Sequence, residues 1–143
     1  MERSTTTPDA LLASLPSGVR EDMTALDAAL APVFAGHERV LWEGPMWGGT
    51  HQRIIGYGTF PQGERSGKLV DWFVVGLAAQ NGYLSLYVNA VEDGQYLGKR
   101  WASRLGKVKI GSASIGFKRL TDVDLPAIVE LATRARDLVL GAA

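Results

Sequence analysis

Two stretches of this chain carry apolar residues at helical spacing. Val19, Met23, Leu26, Leu30 and Val33 recur in steps of three and four, one face of an amphipathic helix. Glu21 and Asp22 fall in its first turn, where carboxylates complement the helix dipole. Ser17 is the expected cap and Gly36 the stop, with Pro32 tightening or kinking the last turn. Near the other end, Ile128, Leu131, Ala135, Leu138 and Val139 predict a second buried stripe, capped from Thr121–Asp124, with Pro126 in the first turn and Gly141 at the end. Glu130 and Arg134 on that helix are spaced for an i,i+4 pair, worth about 0.3 kcal/mol. A shorter helix is predicted ahead of the first. Thr7-Pro8-Asp9 starts it, and Pro16 stops it by pushing Leu15 out of helical geometry.

Between the helices the pattern changes to strands. Arg39–Trp42 and Gln52–Phe60 are strand candidates, and polar, turn-rich Pro61–Gly67 predicts an exposed loop. Leu69–Ala79 is apolar on both alternating faces, as in a central strand covered on both sides. Asn81-Gly82 then signals a hairpin, and Tyr83–Ala90 returns with Leu84, Leu86 and Val88 on one face. Glu92-Asp93-Gly94 is expected to open a helix bearing Tyr96, Leu97, Trp101 and Leu105, ended by Gly106, with a short strand at Ser114–Lys118 after it. The sum is an α+β fold, an antiparallel sheet with helices packed on it. Residues 1–7, polar and without periodicity, read as a disordered tail, and residues 8–141 as one domain.

Composition narrows the classes. The 143 residues are 46% hydrophobic and 21% charged, ordinary values for a folded domain. Cysteine is absent, which removes disulfides, thiol nucleophiles and thiolate metal sites and fits a reducing compartment. The N-terminus has no signal-type apolar stretch, and the longest apolar run, Trp72–Ala79, is far shorter than a span of about 20 residues. A cytoplasmic protein without a membrane segment is the expectation. Zero net charge argues against a dedicated nucleic-acid binder.

That neutrality hides a segregation. From Gly94 to Phe117 the chain carries Lys99, Arg100, Arg104, Lys107 and Lys109 and no acid, and Lys118 and Arg119 extend the run. The plain reading is a solvated basic face; the functional one is a site for an anion or an acidic partner. His37 and His51 lack any spacing that would place two ligands on one helix. His51 reads either as an exposed loop residue or as a ligand or pH-sensitive contact beside Gly48-Gly49-Thr50. Trp42, Trp47, Tyr57, Trp72, Tyr83 and Tyr87 crowd the strands, with Gly56 and Gly58 expected on one face. That arrangement reads either as helix-to-sheet packing or, with Tyr83 and Tyr87 one strand away, as a shallow aromatic cleft. No nucleophile elbow or forced carboxylate pair appears, and Gly106-x-x-x-x-Gly111-Ser112 lacks the lysine and the preceding strand of a phosphate loop.

Four motifs line up in order: Leu11-Leu12-Ala13-Ser14-Leu15-Pro16 before a helix, Trp42-x-x-Pro45-x-Trp47, Gly106-Lys107 ahead of Ile115-Gly116-Phe117, and Asp124-Leu125-Pro126. The series resembles the YdhG-like domain family over roughly residues 8–140, with Trp47 standing where that family commonly has tyrosine or phenylalanine. The resemblance implies a frataxin-like fold, and some family members are described as intracellular iron chaperones. An inherited iron role would call on clustered carboxylates. Glu21, Asp22, Asp27, Glu38 and Glu43 are the candidates, with Asp22 and Glu43 as the metal ligands. The ligand-binding candidates are Trp42, Pro45, Trp47, Tyr57, Tyr87 and Lys107, the last also matching a family position. The expected function is non-enzymatic binding, of iron in its sharpest form. The alternative is a small-anion or acidic-protein interaction module built on the basic 99–109 segment.

Overall fold

The computed structural model describes residues 1–45, 49–63 and 69–141. Its first strand, β1 (Glu2–Arg3), lies in the polar segment read as a tail: Glu2 pairs with Glu43 and Arg3 with Trp42. A polar segment without periodicity is ordered here by what it meets. Arg3 bonds Glu38 at 2.6 Å and Asp71 at 3.2 Å and lies over the Trp42 ring at 5.3 Å.

Helix α1 (Pro8–Ser14) starts as expected, the Thr7 hydroxyl accepting from the Ala10 amide at 3.1 Å, and Leu15 turns extended before Pro16. Helix α2 (Val19–Leu30) is capped differently. Gly18 takes the cap position and the Glu21 carboxylate accepts its amide, while the Ser17 hydroxyl bonds Glu21 instead. Pro32 sits in a 3-10 turn, Ala31–Phe34, that tightens the helix end.

The sheet follows as β2 (Arg39–Pro45), β3 (His51–Gly63), β4 (Leu69–Ala79) and β5 (Leu84–Val88). Strand β3 runs through Pro61, which pairs with Asp71, so the expected loop Pro61–Gly67 begins as strand; residues 64–68 lie outside the described residues. Beyond the Arg39–Tyr57 pair β3 has, among the described residues, a neighbour on one side only, the setting in which a strand tolerates proline. After β5 comes a hairpin where a helix start was expected, β6 (Val91–Glu92) against β7 (Gln95–Tyr96). Asp93 and Gly94 have φ of 52° and 79°, the two positive values of a type I′ turn, which no helix accommodates. The helix is correspondingly short, α3 (Leu97–Trp101) with a 3-10 turn at Ala102–Arg104.

Strand β8 (Lys109–Ile110), unmarked in the sequence pattern, pairs with β9 (Ser114–Phe117). Helix α4 (Leu125–Leu140) has the expected Asp124 cap, but Leu138 is exposed and the Glu130–Arg134 pair does not form. Glu130 meets Arg104 and Arg134 meets Glu92, because both helix residues face neighbouring segments rather than each other. The main sheet is antiparallel throughout, in the order β1-β2-β3-β4-β5-β9-β8.

Helices α1, α2 and α4 supply Leu11, Leu12, Met23, Leu26, Leu30, Ile128 and Leu131 to one core against the sheet. A second, smaller cluster contains no helix residue: Trp42, Ile54, Phe73 and Ala78, with Met1, Trp72 and Tyr87 against it. Strand β4 feeds both clusters, and its alternation slips between them. Val74 and Val75 both join the helix-side core, while Trp72 and Phe73 join the other. No helix among the described residues is long and apolar enough to cross a membrane.

Candidate binding surface

The expected aromatic cleft is divided by the sheet. Tyr57 is fully buried on the helix side, whereas Trp42 and Tyr87 belong to the opposite face. Gly56 and Gly58 part company too. A Cβ at Gly56 would lie 2.6 Å from the Trp42 indole nitrogen, but Gly58, with φ of 72°, would meet Phe34 and Leu140. The positive φ turns the backbone, so strict alternation fails there. Pro45 is exposed at the end of β2, paired with His51, and Trp47 lies outside the described residues.

On the face without helices, Phe73 sits between Trp72 (ring centroids 4.4 Å apart), Trp42 (6.2 Å) and Tyr87 (6.4 Å). Gly56 and Gly76 make room for this layer, since a Cβ at Gly76 would fall 2.4 Å from the Phe73 ring. These glycines serve aromatic packing, and Trp42 is only 4% exposed. Its indole N–H has no partner among the described residues. The Tyr87 hydroxyl accepts from Gln80 at 3.2 Å, and burial raises its pKa.

Tyr57 instead anchors a polar knot. Its hydroxyl donates to Asp27 at 2.6 Å, Arg39 grips the same carboxylate at 2.9 and 2.8 Å, and Arg39 reaches Asp9 at 2.9 Å. One network thereby ties α1 and α2 to β2 and β3. Burial, and then the Asp27 charge, push the Tyr57 pKa well above its ordinary value, while the Asp27 hydrogen bonds raise that of Arg39.

The carboxylates proposed for a metal are occupied separately. Asp22 accepts from Arg119 Nε at 2.8 Å and from the Leu120 amide at 3.1 Å, which draws its pKa below the usual carboxylate range, Arg119 contributing most. Glu43 accepts from the Ser4 hydroxyl and lies 3.8 Å from His51. Glu38 is held by Arg3, Asp27 by Arg39, and Glu21 by the start of α2. Asp22 and Glu43 therefore do not come together, and among the described residues no group of three His, Asp or Glu is placed to hold a metal. His37 packs edge-on against Phe34.

Cavities are modest. A recess lined by Leu11, Leu15, His51, Arg53 and Gln80 encloses about 180 Å³, below the range of roughly 300–1,000 Å³ usual for small-molecule pockets. A wider hollow beside Ser103, of about 390 Å³, has its polar groups committed: Arg104 pairs with Glu130, and Asp124 caps α4.

The basic segment is the feature left open. Its arginines are engaged: Arg100 with Asp93 at 3.4 Å, Arg104 with Glu130 and over the Trp101 ring, Arg119 with Asp22. Lys99, Lys107, Lys109 and Lys118 are all exposed, and none forms an ion pair among the described residues. Elsewhere only Arg53 among the described cations shares that condition. The Gly106-Lys107 motif has a structural cause. Gly106 has φ of 104°, and a Cβ there would meet the Asp122 carbonyl at 2.4 Å. The close approach lets the Lys107 amide donate to that carbonyl at 2.7 Å, which aims the following residues along the sheet edge. No family model matches this chain, and no curated protein or solved structure does either.

Proposed function

We propose that this chain is a non-enzymatic binding domain of YdhG-like, frataxin-type build. It docks an acidic protein surface through Lys99, Lys107, Lys109 and Lys118. The order of the four sequence motifs and the antiparallel sheet with helices on one face support the family reading. The observation that carries the function is the division of labour among the cations: arginines of the segment hold carboxylates of this chain, whereas its lysines hold none among the described residues. An acid arriving at those lysines breaks no existing pair, so its attraction is not offset by a lost internal contact. Iron carriage has no comparable observation behind it, since Asp22 is already held by Arg119 and the Leu120 amide.

The test is fluorescence anisotropy with a labelled oligoglutamate peptide. Binding is expected at low salt and is expected to weaken strongly once the Debye length falls to about 8 Å, near physiological ionic strength. Replacing Lys99, Lys107, Lys109 and Lys118 by Gln should abolish it, while Arg53→Gln leaves it intact. Equal loss in both variants, or binding indifferent to salt, refutes the assignment.

A further inference from the structure

Strand β8 is the last strand of its sheet, and its two faces differ. Val108 and Ile110 pack on the helix-side core. Lys109 stands opposite Gly116 in the ladder, and it and Lys107 alternate with those apolar residues on the exposed side. Backbone direction follows the same parity. The Gly111 amide donates to Ser114 and the Lys107 amide to Asp122, both toward the interior of the sheet. The odd-numbered residues thus spend their backbone groups inward, and the N–H and C=O groups of Val108 and Ile110 point away from β9, along the free edge.

We propose that this edge receives an extended acidic peptide as an added antiparallel or parallel strand. Main-chain bonds form to Val108 and Ile110, and alternate Glu or Asp side chains meet Lys107 and Lys109. The inference rests on the acidic-partner reading above and adds its mode of attachment. Charge complementarity selects the occupant: edge lysines repel the same edge of a second copy, the usual way sheets avoid self-pairing, and the same two charges attract an acidic strand. A partner strand with acids on one face and apolar residues on the other would also extend the core past Val108 and Ile110.

The probes are a short labelled peptide of alternating Glu and Val, the same peptide N-methylated at alternate residues, and an oligoglutamate of equal charge. The alternating peptide should bind at least about tenfold more tightly than oligoglutamate, and methylation should remove that advantage. Amide exchange at Val108 and Ile110 should slow by about tenfold or more in the complex, a local protection that pure charge attraction does not give. Ile110→Pro removes one outward N–H without touching the ladder to β9, and should weaken the alternating peptide while leaving oligoglutamate binding unchanged. If both peptides bind equally and neither amide is protected, strand addition is wrong and the charged surface stands. If no acidic probe binds, the surface reading falls and takes this inference with it.

Discussion

Removing the hydroxyl of Tyr57 tests the polar knot that joins the helices to the sheet. Tyr57→Phe deletes one bond to a carboxylate, and hydrogen bonds to charged groups contribute about 1.5–3 kcal/mol. Asp27 keeps both of its Arg39 bonds in that variant, so no charged partner is stranded and the cost belongs at the low end, about 1.5 kcal/mol. Asp27→Ala behaves differently, because the Tyr57 hydroxyl is fully buried and would lose its acceptor. Stranding that donor adds about 1–3 kcal/mol to the lost bond. The penalty vanishes when the hydroxyl is already gone. The double variant should therefore be more stable than the sum of the singles implies, by at least that penalty of about 1–3 kcal/mol. Urea melts followed by tryptophan fluorescence give the numbers. With a slope of about 1–3 kcal/mol per molar urea, Tyr57→Phe should lower the midpoint by roughly 1 M. The knot has an alkaline signature as well. Burial raises the folded Tyr57 pKa, so its contribution is complete below the unfolded value of 10.0 and is lost as pH rises above it. Tyr57→Phe should flatten that alkaline decline. An unfolding free energy within about 0.5 kcal/mol of the parent, or strict additivity in the double variant, would show that Arg39 alone carries the junction.

Three further outcomes follow from the same contacts. Asp22→Asn should remove stability that the parent holds above the ordinary carboxylate range and loses as pH falls through the depressed folded pKa, so acid titration of the two proteins should converge at low pH; parallel curves would exclude the Arg119 link. Gly106→Ala places a methyl against the Asp122 carbonyl in a positive-φ site and should cost several kcal/mol, about 2–4, by thermal melting, against under about 0.5 for Ser112→Ala on the exposed loop nearby. Arg3→Ala should free β1 without unfolding the domain, read as accelerated amide exchange at the Ser4 amide, which donates to Leu41 at 2.8 Å; unchanged exchange would mean the Trp42 and Glu38 contacts do not hold the strand.

Much of the scaffold was legible because local signals agreed. Leu69–Ala79 is apolar on both faces, and its stretch Phe73–Ala78 is buried on both, by helices on one side and within an aromatic layer on the other. Thr7-Pro8 and Asp124-Leu125-Pro126 acted as helix starts because cap and proline reinforce each other within a few residues. Glu92-Asp93-Gly94 was misread because an acidic helix start and an Asp-Gly turn share the same letters, and the two positive φ angles decided for the turn. The site was harder. Asp27 and Tyr57 are thirty positions apart, as are Asp9 and Arg39, and Asp22 meets Arg119 across ninety-seven. No spacing rule reaches such pairs. Of the carboxylates that looked free for a metal, Asp22, Asp27 and Glu38 were claimed by arginines from distant segments, and the same pairing left the segment's lysines uncommitted among the described residues. Gly56 and Gly58, with tyrosines one strand away, looked like a cleft until the positive φ at Gly58 turned that position to Phe34 and Leu140 while Gly56 stayed under Trp42.

The indoles of Trp42 and Trp72 reach across the intervening strand above Gly56, their rings 5.6 Å apart and inclined by 56°. Chromophores that close and that skewed share their excited states, which gives the folded chain a circular-dichroism couplet neither residue produces alone. The sheet thus contains its own optical gauge: any slip of β2 relative to β4 changes that signal.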